Sequence, residues 1–88
     1  MTWTEETLRT ELVQLFRQHA QDGVSVDEKS HLVADLGIDS LGVMEVVADI
    51  EDRFQLVIPD EALRDVDTIA DVARAIETRL RGDGRLQG

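Results

Sequence analysis

Ser40-Leu41-Gly42-Val43-Met44-Glu45-Val46-Val47-Ala48-Asp49-Ile50-Glu51-Asp52-Arg53-Phe54 is the stretch that decides the fold. Val43, Val46, Val47, Ile50 and Phe54 recur at the 3.6-residue spacing of one buried helical stripe. Glu45, Asp49, Glu51 and Asp52 fall off that stripe, so the predicted helix, Ser40 to Phe54, is acidic on its open side. The run just before it, Asp35-Leu36-Gly37-Ile38-Asp39, supplies the start signals: a glycine, then Asp39-Ser40 at the helix mouth. A Ser or Asp oxygen there accepts a bond from an orphan N–H of the first turn, so the plain reading of Ser40 is an N-cap.

Toward the amino end, Leu8, Leu12, Leu15 and Phe16 share a stripe and predict a first helix from Thr4 to about His19. Its cap is open between two readings. Thr2 with Glu5 has capping-box spacing, whereas Thr4 as cap places Trp3 and Leu8 at hydrophobic-staple spacing. Gln21-Asp22-Gly23 ends this helix with a turn. Residues 22–39 read as a long loop, with a short turn near Ser30–Val33. Val24, Val26, Leu32, Val33 and Leu36 make it too apolar to be fully solvated and are expected to pin it to the helices.

Toward the carboxyl end, Val57-Ile58-Pro59-Asp60 interrupts the helical pattern. Pro59 suits the first turn of a short helix over about Asp60–Asp65, expected to bury Ala62 and Leu63. Thr68 and Asp71 again have capping-box spacing, and Ile69, Val72, Ala73, Ile76 and Leu80 form the cleanest stripe of the chain. Arg79 and Arg81 stand where a helix dipole favours positive charge. The expected fold is all-α: a small bundle of three main helices plus one short one, with a long first loop. No repeat and no strand of useful length is visible. Residues 1–81 read as one domain and residues 82–88 as a flexible, frayed tail.

Composition narrows the function. Eighty-eight residues make one small domain, and no cysteine offers a disulfide, a thiolate metal site or a nucleophile. The net charge of −10 is uneven. Asp35 to Asp71 holds eleven acids against Arg53 and Arg64, net −9, while residues 72–88 are net +2. That field repels nucleic acid and anionic membranes and attracts basic protein surfaces. No stretch is long and apolar enough to span a bilayer, and Met1-Thr2-Trp3-Thr4-Glu5-Glu6 is no signal peptide. A cytoplasmic monomer is expected, and Met1 just ahead of the first helix reads as a freestanding protein.

Two chemistries fail on the residues. A serine nucleophile needs a base, and nothing brings His19 or His31 to Ser40. Asp35, Gly37 and Asp39 occupy offsets 1, 3 and 5 of an EF-hand loop, but Ser40 replaces its glycine and Val46 its final glutamate. No catalytic residue and no metal site is therefore assigned.

Taken together, Asp35-Leu36-Gly37-Ile38-Asp39-Ser40-Leu41, the acidic helix, and Phe54 followed by Ile58-Pro59-Asp60-Glu61 resemble the acyl carrier proteins over about residues 5–80. The resemblance implies a carrier, not an enzyme. Ser40, flanked by Asp39 and Leu41, would bear a 4′-phosphopantetheine arm derived from coenzyme A, whose thiol holds acyl intermediates as thioesters. A phosphopantetheinyl transferase would attach it, and ketosynthase- or acyltransferase-type enzymes would be the pathway partners. Glu45, Glu51 and Asp52 match acids that meet basic partner residues, and Leu41 and Met44 match apolar contacts. Gly42 stands where fatty-acid carriers usually place an acid, and Arg53 interrupts the acidic run. With eight arginines against the single Lys29, these lean toward polyketide or other specialised biosynthesis. The alternatives are a general fatty-acid carrier and a peptidyl or aminoacyl carrier. Ile38-Asp39 before the serine speaks against the last, which more often shows a Gly-Gly-His-Ser run. An acidic interaction module without cofactor is a further rival. Because helix propensity disfavours glycine, Gly42→Asp is expected to be at least as stable as the parent.

Overall fold

Thr4, not Thr2, starts the first helix. A computed structural model describes residues 2–87; Met1 and Gly88, the outer ends of the expected domain and tail, lie outside the described residues. In it α1 spans Glu5–His19 and the Thr4 hydroxyl accepts from the Thr7 amide at 3.1 Å. The Thr7 hydroxyl closes the box by accepting from the Thr4 amide at 3.0 Å. Leu8, Leu12, Leu15 and Phe16 are all buried, as their spacing predicts.

Helix α2 is Ser40–Phe54 and α3 is Ile69–Gly82. Helix α1 packs against both. Val46, Ile50 and Phe54 form the centre of the α2 stripe, with Val43 and Val47 half-buried at its edge. Ile69, Val72, Ala73, Ile76 and Leu80 are all buried. The predicted box at Thr68 and Asp71 is present: the Asp71 amide donates to the Thr68 hydroxyl at 3.2 Å, and Asp71 accepts from the Thr68 amide at 3.0 Å.

The loop over residues 20–39 is held by both its side chains and its backbone. Val26, Leu32, Leu36 and Ile38 are buried. The Ile69 and Ala70 amides, orphans of the first turn of α3, donate to Ser30 and Glu28 carbonyls at 3.2 and 2.8 Å. Val33 departs from expectation: it is 69% exposed. The Asp35 and Leu36 amides both donate to the His31 carbonyl at 3.0 Å. In that helix-like turn Leu32 and Leu36 share the inner side, and Val33 is left on the outer one.

Two further expectations are corrected. The short helix is a single 3-10 turn, Asp60–Leu63, and Ala62 is exposed. So short a turn directs only Leu63 inward, where it is half-buried. Of the residues read as a frayed tail, Gly82 ends α3 and residues 83–87 fold back. Strand β1, Trp3–Thr4, pairs in parallel with β2, Leu86–Gln87. The Trp3 amide donates to the Arg85 carbonyl at 3.0 Å. The Arg85 guanidinium donates to the carbonyls of Phe54 and Gln55, which end α2. Trp3 stacks on Phe54 with ring centroids 4.5 Å apart.

Candidate functional site

The mouth of α2 is built by Asp39, Ser40 and Gly42. Asp39 has extended backbone and is the N-cap; its Oδ1 accepts from the Gly42 amide at 2.8 Å. Ser40 is the first helical residue, so the cap expected of it moves back by one. Its hydroxyl is exposed and has no hydrogen-bond partner among the described residues. The first turn contains no acid, and neither the Ser40 nor the Leu41 amide donates to a protein acceptor among the described residues. The helix therefore presents two free N–H groups and its positive end beside an uncommitted hydroxyl.

Gly42 is fixed by what surrounds it. A Cβ there would lie 2.8 Å from Ile38 Cγ2 and 3.3 Å from Asp39 Oδ1. Ile38 is 3% exposed. The geometry opposes the expectation that Gly42→Asp would be at least as stable: the gain in helix propensity is set against a clash with a buried side chain. Gly37 is constrained differently, by its backbone at φ +68°; the atom a Cβ there would meet at 2.8 Å, Gln21 Nε2, ends an exposed, flexible side chain that can move aside. Gln21, just past the end of α1, thus lies beside Gly37 of the motif loop, and His19 Nε2 lies 2.7 Å from Asp49 Oδ2 on α2.

Leu41, Met44, Glu45, Ala48 and Asp52 are all exposed and follow helical spacing along one open stripe. Leu41 is 65% and Met44 68% exposed, large fractions for apolar side chains. Glu51 is not on this stripe. It is half-buried, and its Oε2 accepts from the Ile58 amide at 2.8 Å, so it secures the chain after α2. Arg53 pairs with Glu11 at 3.2 Å. Beneath the other side of α2 lies a cavity of about 280 Å³, lined chiefly by Phe16, Leu32, Val43, Val47, Leu63 and Val72. Val43 and Val47 sit three and seven residues after Ser40, so the cavity runs down the helix from the serine. His31 and Val33 stand at its wall.

A family model described as a phosphopantetheine attachment site matches residues 6–76. The acyl carrier protein of Wolinella succinogenes is 49% identical over 53 residues, which are 60% of this chain and 70% of that protein. That of Phenylobacterium zucineum is 39% identical over 59 residues, 67% of this chain and 75% of that one. A solved structure from Mycobacterium tuberculosis, described as an acyl carrier protein, superposes with a TM-score of 0.61 at 25% identity. It covers 85% of this chain and 96% of that one. The chain belongs to the acyl carrier protein family.

The carrier's cofactor is 4′-phosphopantetheine. Acyl carrier proteins are not enzymes; a phosphopantetheinyl transferase modifies them and pathway enzymes use them. The mouth of α2 fits the group: a phosphodiester on an exposed hydroxyl there would have two free amides to accept from. Among the described residues of the carrier, no helix is long and apolar enough to cross a membrane. The sequence reading missed the cavity, because its walls come from all three helices and the loop. It also missed the tie between His19 and Asp49, which are 30 residues apart.

Proposed function

We propose that Ser40 bears the 4′-phosphopantetheine arm, and that the carrier holds fatty or polyketide acyl groups on it and delivers them by docking through the open stripe of α2. The observation that carries this reading is the Ser40 hydroxyl itself. It is exposed and unbonded at a helix mouth already capped by Asp39, within the matched segment. The arm supplies a thiol on which an acyl group rides as a thioester. The chain's own residues do the rest. Asp39 holds the first turn, and the free amides of Ser40 and Leu41 receive the phosphate. Leu41 and Met44 offer apolar contacts, while Glu45 and Asp52 attract basic partner residues. The apolar cavity beside Val43 and Val47 offers shelter to a carried chain; a cavity of about 150 Å³ already accepts benzene, and this one is about 280 Å³.

The lean toward a specialised pathway loses its two structural arguments. Gly42 packs beside Ile38 and Arg53 pairs with Glu11, so each departure has a local structural reason and neither singles out a pathway. The test is the intact mass after incubation with coenzyme A and a broad-specificity transferase. The parent chain should gain one arm and Ser40→Ala none. Modified Ser40→Ala protein would refute the assignment.

A further inference from the structure

We propose that Gly42 is a positioning residue for Ser40, and that it acts through the β-branch of Ile38. The inference rests on Ser40 as the attachment residue. Ser40 lies midway between these two residues in the chain, and an added Cβ on Gly42 would meet three atoms on the other side of it. A Cβ on Gly42 would come within 2.8 Å of Ile38 Cγ2, 3.9 Å of Ile38 Cβ and 3.3 Å of Asp39 Oδ1. Carbon atoms in ordinary contact stand about 3.5–4.0 Å apart, so the first approach is far inside contact distance.

Neither neighbour can retreat freely. Ile38 is buried in the core, its χ1 is stiff because Cβ is branched, and its amide donates to the Leu32 carbonyl at 3.0 Å. Asp39 can withdraw only by surrendering its 2.8 Å bond to the Gly42 amide. What yields is the backbone between them, and Ser40 is at its centre. Glycine at position 42 lets the first turn of α2 seat directly on Ile38. That seat sets the offset between the Ser40 hydroxyl and the docking stripe that begins at Leu41. A transferase gripping the stripe finds the hydroxyl only if that offset is kept.

The pairing predicts a pattern of rescue that volume alone does not. Ile38→Leu moves the branch from Cβ to Cγ and so removes the clashing methyl while conserving volume. Ile38→Val is smaller, yet it keeps the branch at Cβ. Gly42→Ala alone should lower kcat of arm transfer by about tenfold or more, because small misplacements at a reacting group are costly. KM, set by the unaltered stripe, should stay within about twofold. Ile38→Leu/Gly42→Ala should return to within about threefold of the parent, and Ile38→Val/Gly42→Ala should stay slow. A merely structural role would make rate follow melting temperature across the set. The Ser40 amide resonance gives a readout that needs no arm. It should shift in Gly42→Ala and in the valine double variant, and return in the leucine one. Parent-like transfer by Gly42→Ala, an unmoved Ser40 resonance, or equal rates for both double variants would overturn the proposal. Failure of the attachment reading is distinct: the parent chain itself would gain no arm at Ser40.

Discussion

Asp39 closes the amino end of α2, and this changes what Ser40 costs to remove. Ser40→Ala deletes an exposed hydroxyl with no partner and should alter stability by less than about 0.5 kcal/mol, as surface substitutions do. Asp39→Ala deletes the cap and should cost about 1 kcal/mol. Paired denaturant melts of the two variants check this. Arg9 is a second case. Its guanidinium donates to both Glu77 oxygens, at 2.7 and 3.0 Å, and to Glu28 at 2.7 Å, which raises its pKa further above the usual arginine value. Glu77 is only 5% exposed, on the inner side of α3. Arg9→Ala would leave that carboxylate buried and unpaired, at a cost of about 3 kcal/mol. Arg9→Met/Glu77→Leu should recover most of the loss in thermal melts. Asp39 and Ser40 were legible as a start signal, but not which of them caps, since both offer an oxygen one residue apart. Glu77 was not legible as buried, because its partner is 68 residues away.

Each main helix is closed by a side chain whose geometry can be tested. Asp71 accepts from the Asp67 and Thr68 amides, both at 3.0 Å. These bonds, Asp67 first and then Thr68, hold its carboxyl below the usual carboxylate range. A folded-state pKa below the unfolded one gives stability that is fully present above the unfolded value, about 3.9. It is lost as pH falls through the folded value. Asp71→Asn should therefore be less stable than the parent at neutral pH, and the difference should shrink below about pH 4. Urea melts at pH 7 and pH 3 read this directly; a gap independent of pH would be the contrary result. The three main helices were legible because each has at least three apolar residues at helical spacing and a visible start signal. The 3-10 turn at Asp60–Leu63 was overextended, since one turn is too short to show a period.

Across the whole molecule, charge and chain ends are arranged on different parts of the fold. The net −9 between Asp35 and Asp71 surrounds α2, and four arginines lie after Asp71. Glu45→Arg or Asp52→Arg should weaken transferase binding more than Glu6→Arg, an exposed site far from Ser40 in the chain. Added salt should narrow the gap, because exposed charges are screened over about 8–10 Å. Binding titrations at two salt concentrations would reveal equal effects if net charge alone mattered. Removing residues 85–88 should cost about 1–3 kcal/mol, from the lost Arg85 bonds to the end of α2 and the half-buried Leu86. Chemical denaturation with and without the segment measures it. Glycines at 82, 84 and 88 made this stretch read as a tail. Its anchors, Trp3 and the carbonyls of Phe54 and Gln55, are supplied from elsewhere in the chain, so no local pattern marks them.

The parallel register of Trp3 with Leu86 and Thr4 with Gln87 has a mechanical consequence. A pull applied by the two ends of the chain loads this pair in shear, so its bonds share the force and must fail together. An antiparallel pair at the same place would be peeled open one bond at a time. Resistance to forced unfolding is a matter of rate rather than equilibrium, so two paired residues at the ends can matter more under tension than they do in a melt.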